Sequence, residues 1–185
     1  MNVIEALVAH HATLRQLYRQ AEANPDGFDT FIHHLVVHHT MEEKYFYDLL
    51  ASFTDAEHDS LEAVNEHHII EMIIKDAEGF PRDHRNFPIK IEGLGEYTVH
   101  HLDEEEAEIF PLAMQLFDSA DLLTLGGLFE EAKGKLLQIK TPELPKALAA
   151  KFAIDLPKTV KLSERDSPAP LANTAIGLGI GKPTD

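Results

Sequence analysis

The sequence has 185 residues, no cysteine and a formal net charge of −16, with 44% hydrophobic and 26% charged residues. This length and hydrophobic content suit one globular domain with an appendage. The negative charge repels phosphate backbones and anionic membrane surfaces, so we expect neither a nucleic-acid partner nor a membrane partner. The lack of cysteine excludes disulfides, thiolate metal sites and cysteine nucleophiles.

The first residues, MNVIEALVAHH, form an acidic amphipathic pattern without the basic and apolar regions of a signal peptide. No stretch approaches the ~18 apolar residues that a membrane span requires. We therefore expect a cytoplasmic protein.

Apolar spacing and turn residues predict five helices in chain order. The first covers about residues 2–23 and ends at the turn NPDG, and the second covers about 28–52. A third helix, capped by Thr54 or Asp55, continues to about residue 78. A fourth covers about 89–117, and DSADLL restarts a fifth helix to about residue 139. A further helical turn or two is expected at 144–153.

Four long amphipathic helices with short or moderate loops predict an all-α fold, namely an up-down four-helix bundle. Residues 1–117 would form this bundle, and residues 118–153 would add a helical segment that packs on it. Residues 154–185 are rich in proline, glycine and small residues, which predicts an extended or disordered tail.

An internal repeat divides the predicted bundle into two hairpins. HHTMEEKYFYDLL (residues 38–50) and HHLDEEEAEIFPLA (residues 100–113) both place a histidine doublet before a glutamate and an apolar run. The first and third helices also match, because the apolar residues around His11 and His67 have the same spacing. The two hairpins are therefore expected to be pseudo-symmetric.

Twelve histidines are the outlier of the composition. A core-facing helical residue has apolar neighbours three, four and seven positions away, which selects one inward histidine per helix. Within the second helix both members of the doublet pass this test, and we choose His38 over His39 because it keeps register with His101. The inward set is His11, His38, His67 and His101. The other histidines are predicted to be solvated or hydrogen-bonded rather than ligands, with His39 as the first candidate for an exception: His10, His33, His34, His39, His58, His68, His84 and His100.

Buried imidazoles and carboxylates are costly unless they are paired or bind a metal. Glu42 and Glu105 lie one helical turn after an inward histidine, ~6 Å along the same face, so each can bridge two metals. A single His-x-x-x-Glu is usually a surface hydrogen-bonded or ion pair, but two copies in register favour a metal site. The predicted metal ligands are His11, His38, Glu42, His67, His101 and Glu105.

Over residues 1–117 the chain resembles the hemerythrin-like, or HHE cation-binding, domain. The resemblance rests on these six residues and on EIFPLA (108–113), which looks like the family's usual ending of the last ligand helix. It implies an up-down bundle around two non-haem iron ions, with the histidines as terminal ligands and Glu42 and Glu105 as bridges. Mixed nitrogen and oxygen ligands suit iron, and manganese or zinc could occupy the same cage.

The chain departs from the oxygen-carrying members in its third helix. Those members place a second histidine one turn after the ligand, where this sequence has Glu71. The departure argues against a dedicated reversible oxygen carrier, whether or not Glu71 reaches the metal. Asp48 also stands where the family often has a proline. Tyr45, Tyr47 and Tyr97 lie near the ligand turns and are expected to pack in the core rather than to ligate.

The leading functional prediction is a di-iron protein that binds or reacts with oxygen, nitric oxide or hydrogen peroxide. Iron sequestration, or iron or oxygen sensing without turnover, is the alternative, since metal binding can simply complete the fold. A third possibility is an interaction module that uses residues 118–185. Whether the site turns over a substrate as a peroxide- or nitric-oxide-consuming oxidoreductase stays open. We expect a monomer or a homodimer.

Overall fold

The computed structural model describes residues 1–139, which are helical throughout apart from short connections and contain no strand. Helix α1 is Val3–Ala23, and a short 3-10 turn, Pro25–Gly27, leads into α2, Phe28–Glu42. Helix α2 continues through a π-helical turn, Glu43–Tyr47, to Asp48–Leu50. Helix α3 is Glu57–Glu78.

Helix α4 is Phe87–Glu104, which continues through a second π-helical turn, Glu105–Ile109, to Phe110–Leu116. Helix α5 is Ser119–Leu136. The all-α prediction is confirmed for the described residues. The helical turns predicted at 144–153 and the tail at 154–185 lie outside them, and the division of the chain at residue 117 stays a prediction.

Side-chain caps explain where two of the five helices begin. The side chain of Asn2 accepts a hydrogen bond from the backbone of Glu5, whose own side chain returns one to Asn2, so α1 starts with a capping box. Asp118 caps α5 by accepting from two backbone N–H groups of its first turn. The predicted caps of α3 are wrong, since that helix starts at Glu57 after Ala56, which has no side chain able to cap.

The two π-helical turns interrupt helices α2 and α4 at positions that differ by one residue in the repeat. In each turn a backbone N–H bonds five residues back, from Asp48 to Glu43 and from Phe110 to Glu105. Turns of this type are rare and are frequently found at functional sites. The first turn directly follows Glu42 and the second begins at Glu105, the two predicted bridging residues. The extra residue of the first turn places Tyr47 on the helix face that carries His38 and Glu42.

Two apolar clusters form the core, one toward each end of the helices. One contains Leu7, Met41 and Ala63, and the other contains Leu14, Leu35 and Ile70. His11, His38 and His67 each lie in sequence between a residue of the first cluster and a residue of the second. The histidine layer therefore lies between two apolar cores.

Helix packing fixes the faces that meet at this layer. Helix α1 packs against α2, α4 and α5, while α3 packs mainly against α4 and also contacts α2. Gly126 of α5 crosses the start of α1 so closely that a Cβ atom there would lie 2.5 Å from the carbonyl oxygen of Met1. Helix α5 thus covers the bundle on the side of α1 and α2. None of the helices within residues 1–139 is both long and apolar enough to cross a membrane.

Candidate metal centre

Six side chains from four helices meet between the two apolar cores. They are the six predicted ligands, and each is at most 1% exposed: His11, His38, Glu42, His67, His101 and Glu105. Burial of four imidazoles and two carboxylates in one layer is costly unless something pairs with them. The structure therefore brings together the whole predicted set, although its role as a ligand set is an inference.

One half of the cluster is formed by α1 and α2. The Nε2 atoms of His11 and His38 lie 3.1 Å apart. Glu42 Oε2 lies 3.2 Å from Nε2 of His38, and Glu105 Oε2 lies 3.3 Å from Nε2 of His11. One ligand atom from each of these four residues falls within 4.8 Å of the others, a spacing that can hold a cation.

The other half is formed by α3 and α4. The Nε2 atoms of His67 and His101 lie 3.0 Å apart. Glu105 Oε1 lies 3.2 Å from Nε2 of His101, and Glu42 Oε2 lies 3.6 Å from Nε2 of His67. These four residues form a second group with the same spacing. Glu42 and Glu105 belong to both groups, so they lie between the two imidazole pairs.

Carboxylates outside the cluster orient three of the four imidazoles. The Nδ1 atoms of His11, His67 and His101 lie 2.9, 3.2 and 2.6 Å from side-chain oxygens of Glu106, Glu43 and Glu66, respectively. An Nδ1–H that donates to a carboxylate leaves Nε2 with its lone pair directed inward. This is the usual outer contact of a histidine that binds a metal.

Arg15 anchors the first of these carboxylates. Its guanidinium donates to Glu106 at 2.7 Å and to Asp103 at 2.6 Å. The contact fixes Glu106 in position beside His11.

Burial and nearby carboxylates together set the protonation of the metal-free cluster. It raises the pKa of Glu42 well above its usual range, with the nearby carboxylate of Glu105 adding to the shift. At His101 burial by itself would lower the pKa of the imidazole. The carboxylates of Glu105 and Glu66 outweigh burial and raise that pKa to about 10. Protons therefore occupy part of the cluster without a metal, and a cation would displace them on binding.

Several buried atoms of the cluster show that hydrogen bonds do not satisfy it. Both carboxylate oxygens of Glu42, Oε2 of Glu105 and Nδ1 of His38 have no hydrogen-bond partner among the described residues. Buried polar atoms without partners are rare in folded proteins. Their donor types, carboxylate oxygen and imidazole nitrogen, fit a bound iron, manganese or zinc ion.

Tyr47 is the one predicted tyrosine that touches the cluster. Its hydroxyl donates to Glu105 Oε1 at 2.5 Å, and its ring lies 5.8 Å from that of His67. Tyr45 is buried in the first apolar cluster and Tyr97 packs at the edge of the second. Glu71 is half-buried and belongs to neither group of possible ligands.

The eight histidines outside the set differ in burial. His58, His68, His84 and His100 are exposed, as predicted, and His34 is half-buried. His10 and His33 are buried. His39 is 1% exposed, and neither of its ring nitrogens has a hydrogen-bond partner within residues 1–139. The expectation that this side chain is solvated or hydrogen-bonded is therefore wrong, because the ring stacks on His67 inside the site.

A small acidic pocket opens beside the cluster. It has a volume of about 120 Å³, and Glu105 is part of its wall. Its other lining residues come from α3 and from the second π-helical turn and its flanks: Asp59, Glu62, Ala63, Glu66, Glu104, Glu108 and Ile109. A wall of carboxylates attracts cations and repels anions.

The family model of the hemerythrin HHE cation-binding domain matches residues 2–113. The chain belongs to this family. The match spans α1 to α4 and contains all six clustered side chains. Family membership implies metal binding, and the buried groups have the donor atoms and spacing to hold a metal ion. No curated protein and no solved structure matches the chain.

Sequence reasoning did not identify the carboxylates that hold the outer nitrogens. Glu43 and Glu106 directly follow the two bridging positions, and Glu66 directly precedes His67. The repeat aligns Glu43 with Glu106, and that correspondence was a usable signal. A rule that selects only core-facing residues misses these three glutamates, because they lie at the edge of the buried face of each helix.

Proposed function

We propose that this HHE-domain protein is a non-haem di-iron protein that binds or reacts with oxygen, nitric oxide or hydrogen peroxide. The observation that carries the proposal is the membership of Glu42 and Glu105 in both buried groups. Carboxylates shared by two ligand groups suit two cations held close together. The terminal ligands would be His11, His38, His67 and His101.

The outer contacts support cations rather than a hydrogen-bonded structural cluster. Glu43, Glu66 and Glu106 accept hydrogen bonds from the Nδ1 atoms, so the Nε2 atoms face the cluster and can bind a cation once any proton there is released. The mixed imidazole and carboxylate donors suit iron, manganese or zinc. Iron is proposed because the resemblance to the hemerythrin family implies it.

Two iron ions, when bound, supply two one-electron redox centres, which suits a two-electron reduction such as that of hydrogen peroxide to water. The chain contributes the surroundings. Tyr47 holds a proton at its hydroxyl beside Glu105, and the two apolar cores exclude bulk water from the layer. The pocket at Glu105 is large enough for a few water-sized molecules.

Iron sequestration or sensing without turnover is the second candidate. The acidic lining of the pocket favours it, because a carboxylate wall draws in a cation whether or not any chemistry follows. The rate at which the iron-loaded protein consumes hydrogen peroxide separates the two. Consumption faster than that of free iron supports turnover, whereas retained iron with no added consumption supports sequestration or sensing.

We also infer that the bundle is an up-down arrangement of two pseudo-symmetric hairpins. The packing of α1 on α2 and of α3 on α4 supports it, as does the presence of a π-helical turn beside the repeated glutamate in both α2 and α4. The partners would be the small ligand and, in a homodimer, a second copy of the chain, with no nucleic acid because of the charge of −16. Size-exclusion chromatography with light scattering tests the oligomeric state.

A further inference from the structure

We propose that the acidic pocket between α3 and the second π-helical turn is the route by which divalent cations enter the buried layer. The inference rests on the proposed metal site and adds how a cation reaches it. All six ligands of that site are at most 1% exposed, and an apolar cluster lies on each side of the layer. A cation therefore needs a path between the helices.

The repeat shows that the pocket occupies a place that the other half of the bundle fills. Alignment of His11 with His67 and of His38 with His101 pairs four carboxylates of the pocket with residues of α1 and α2. Each of these four partners is at most 3% exposed, and none of them is acidic. The pairs are Asp59 with Val3, Glu62 with Ala6, Glu66 with His10, and Glu104 with Met41.

Helix α5 accounts for the filled groove between α1 and α2. It packs on both helices and on the first π-helical turn, and its Phe129 joins Val3 and Met41 in one apolar cluster. In the corresponding groove between α3 and α4, the side chains of Glu62 and Glu104 are 67% and 48% exposed. The fold therefore closes one groove with an apolar helix and lines the other with carboxylates that reach solvent.

A small side chain makes room for the pocket. Ala63 lies in the pocket wall, four residues before His67. The repeat aligns it with Leu7, which is fully buried four residues before His11. The shorter side chain leaves space between α3 and α4, where the volume of about 120 Å³ suits a cation that keeps part of its water shell.

Carboxylates along one face of α3 connect the surface to the buried layer. Asp59, Glu62 and Glu66 recur at intervals of three and four residues, so they share a face and span about 10 Å of the helix. At the outer end, donor atoms of His58, Asp59 and Glu62 lie within 4.8 Å of one another, a spacing that can hold a cation. At the inner end, Glu66 lines the pocket and places Oε2 2.6 Å from Nδ1 of His101.

Glu105 receives the cation at the end of this route. It forms part of the pocket wall and belongs to both ligand groups. Its side chain is fully buried, and Oε2 has no hydrogen-bond partner within residues 1–139. Because such unpartnered buried atoms are rare, this oxygen is a strong acceptor for a cation that arrives through the pocket.

The rate of cobalt(II) uptake tests the route, because a residue on the path changes how fast a cation enters without changing the ligands that hold it. Stopped-flow mixing of the metal-free full-length protein with cobalt(II) gives this rate from the visible absorption of the bound ion. Asp59→Asn combined with Glu62→Gln should slow uptake by about 10-fold, the lower end of what a cleft of one charge sign contributes to association. Both forms should still bind two cobalt ions per chain.

Glu92→Gln combined with Glu96→Gln is the matched control. It removes the same charge from exposed positions of α4 that lie about 12–18 Å along the helix from Glu104. At about 0.15 M salt, charges more than ~8 Å away are largely screened, so uptake by the control should match that of the unmodified protein. Equal slowing in the two double variants would overturn the route, because net charge alone would then explain the uptake rate.

Ala63→Leu tests the space itself without a change of charge. It places the leucine of the filled groove in the pocket, so uptake and chelator-driven release should slow by the same factor while affinity at equilibrium stays unchanged. Uptake as fast as that of the unmodified protein in either folded pocket variant would overturn the route. Fewer than two cobalt ions in the unmodified protein would instead contradict the proposed two-metal site, and the rates would still show where the bound cation enters.

Discussion

The hydroxyl of Tyr47 donates a hydrogen bond to Oε1 of Glu105 at 2.5 Å, between the second and fourth helices of the bundle. The other half of the repeat has Phe110 at the matching position, where its ring lies 5.4 Å from that of His11 and offers no donor. Only one of the two shared carboxylates is therefore held by a tyrosine. The hydrogen bond fixes the position of the Glu105 carboxylate in the absence of a bound cation.

Replacement of Tyr47 by phenylalanine removes this hydrogen bond without opening a cavity. We expect the free energy of unfolding of the metal-free protein to fall by about 1–3 kcal/mol, as for the loss of a buried hydrogen bond to a charged group. Urea denaturation measures the change. Tyr97→Phe is the control, because Tyr97 is half-buried away from the site, and an equal loss in both variants would contradict the assigned role.

Glu105→Ala and Glu104→Ala test which glutamate faces the metals. Glu105 is fully buried within both ligand groups, whereas the side chain of Glu104 is 48% exposed. We expect Glu105→Ala to lose at least one metal ion per chain and Glu104→Ala to lose none, as measured by elemental analysis after gel filtration. Equal metal loss would show that the helical register is wrong.

Glu66→Ala tests the outer contact of His101. Without the carboxylate 2.6 Å from Nδ1, the imidazole loses the partner that fixes its orientation, and metal affinity should fall by roughly 10–100-fold. Competition with a chelator of known affinity measures the change. Glu62→Ala removes a neighbouring charge that also lines the acidic pocket, so an equal fall there would mean that net charge, rather than the contact, controls affinity.

Gly126→Ala and Gly127→Ala test the packing of α5 on the start of α1. A Cβ at Gly126 would meet backbone atoms of Met1, Asn2 and Val3 at 2.5–2.9 Å, so one helix must shift, at a cost of about 1–3 kcal/mol. A Cβ at Gly127 meets nothing within 4 Å in the described chain, so alanine there should stabilise the helix by roughly 0.5–1 kcal/mol. Thermal unfolding of both variants gives the comparison, and similar melting temperatures would contradict this packing.

Periodicity predicted the helices well because each carries an apolar face broken by clear turn residues. It chose correctly between His67 and His68 and between His101 and His100, since one member of each doublet has charged neighbours. It could not place His39, because both faces of α2 are apolar there. The face of α2 that carries His39 is buried because α3 places His67 against it, which the sequence pattern does not show.

The sequence pattern also did not predict the π-helical turns. A turn of this type adds a residue to the helix without a proline or glycine to mark it in the segment Glu43–Tyr47. Its effect is visible only in three dimensions, where Tyr47 reaches Glu105 from a position that an uninterrupted helix would direct elsewhere.

Metal stoichiometry tests the central claim most directly, which is that Glu42 and Glu105 lie between two iron ions. The protein would be loaded with ferrous iron without oxygen, freed of excess metal and analysed for iron per chain, with spectra recorded before and after hydrogen peroxide. The account predicts two irons per chain and near-ultraviolet absorption, typical of bridged ferric pairs, that peroxide perturbs. One iron or none in a folded chain, or a spectrum that peroxide leaves unchanged, would contradict a reactive di-iron site.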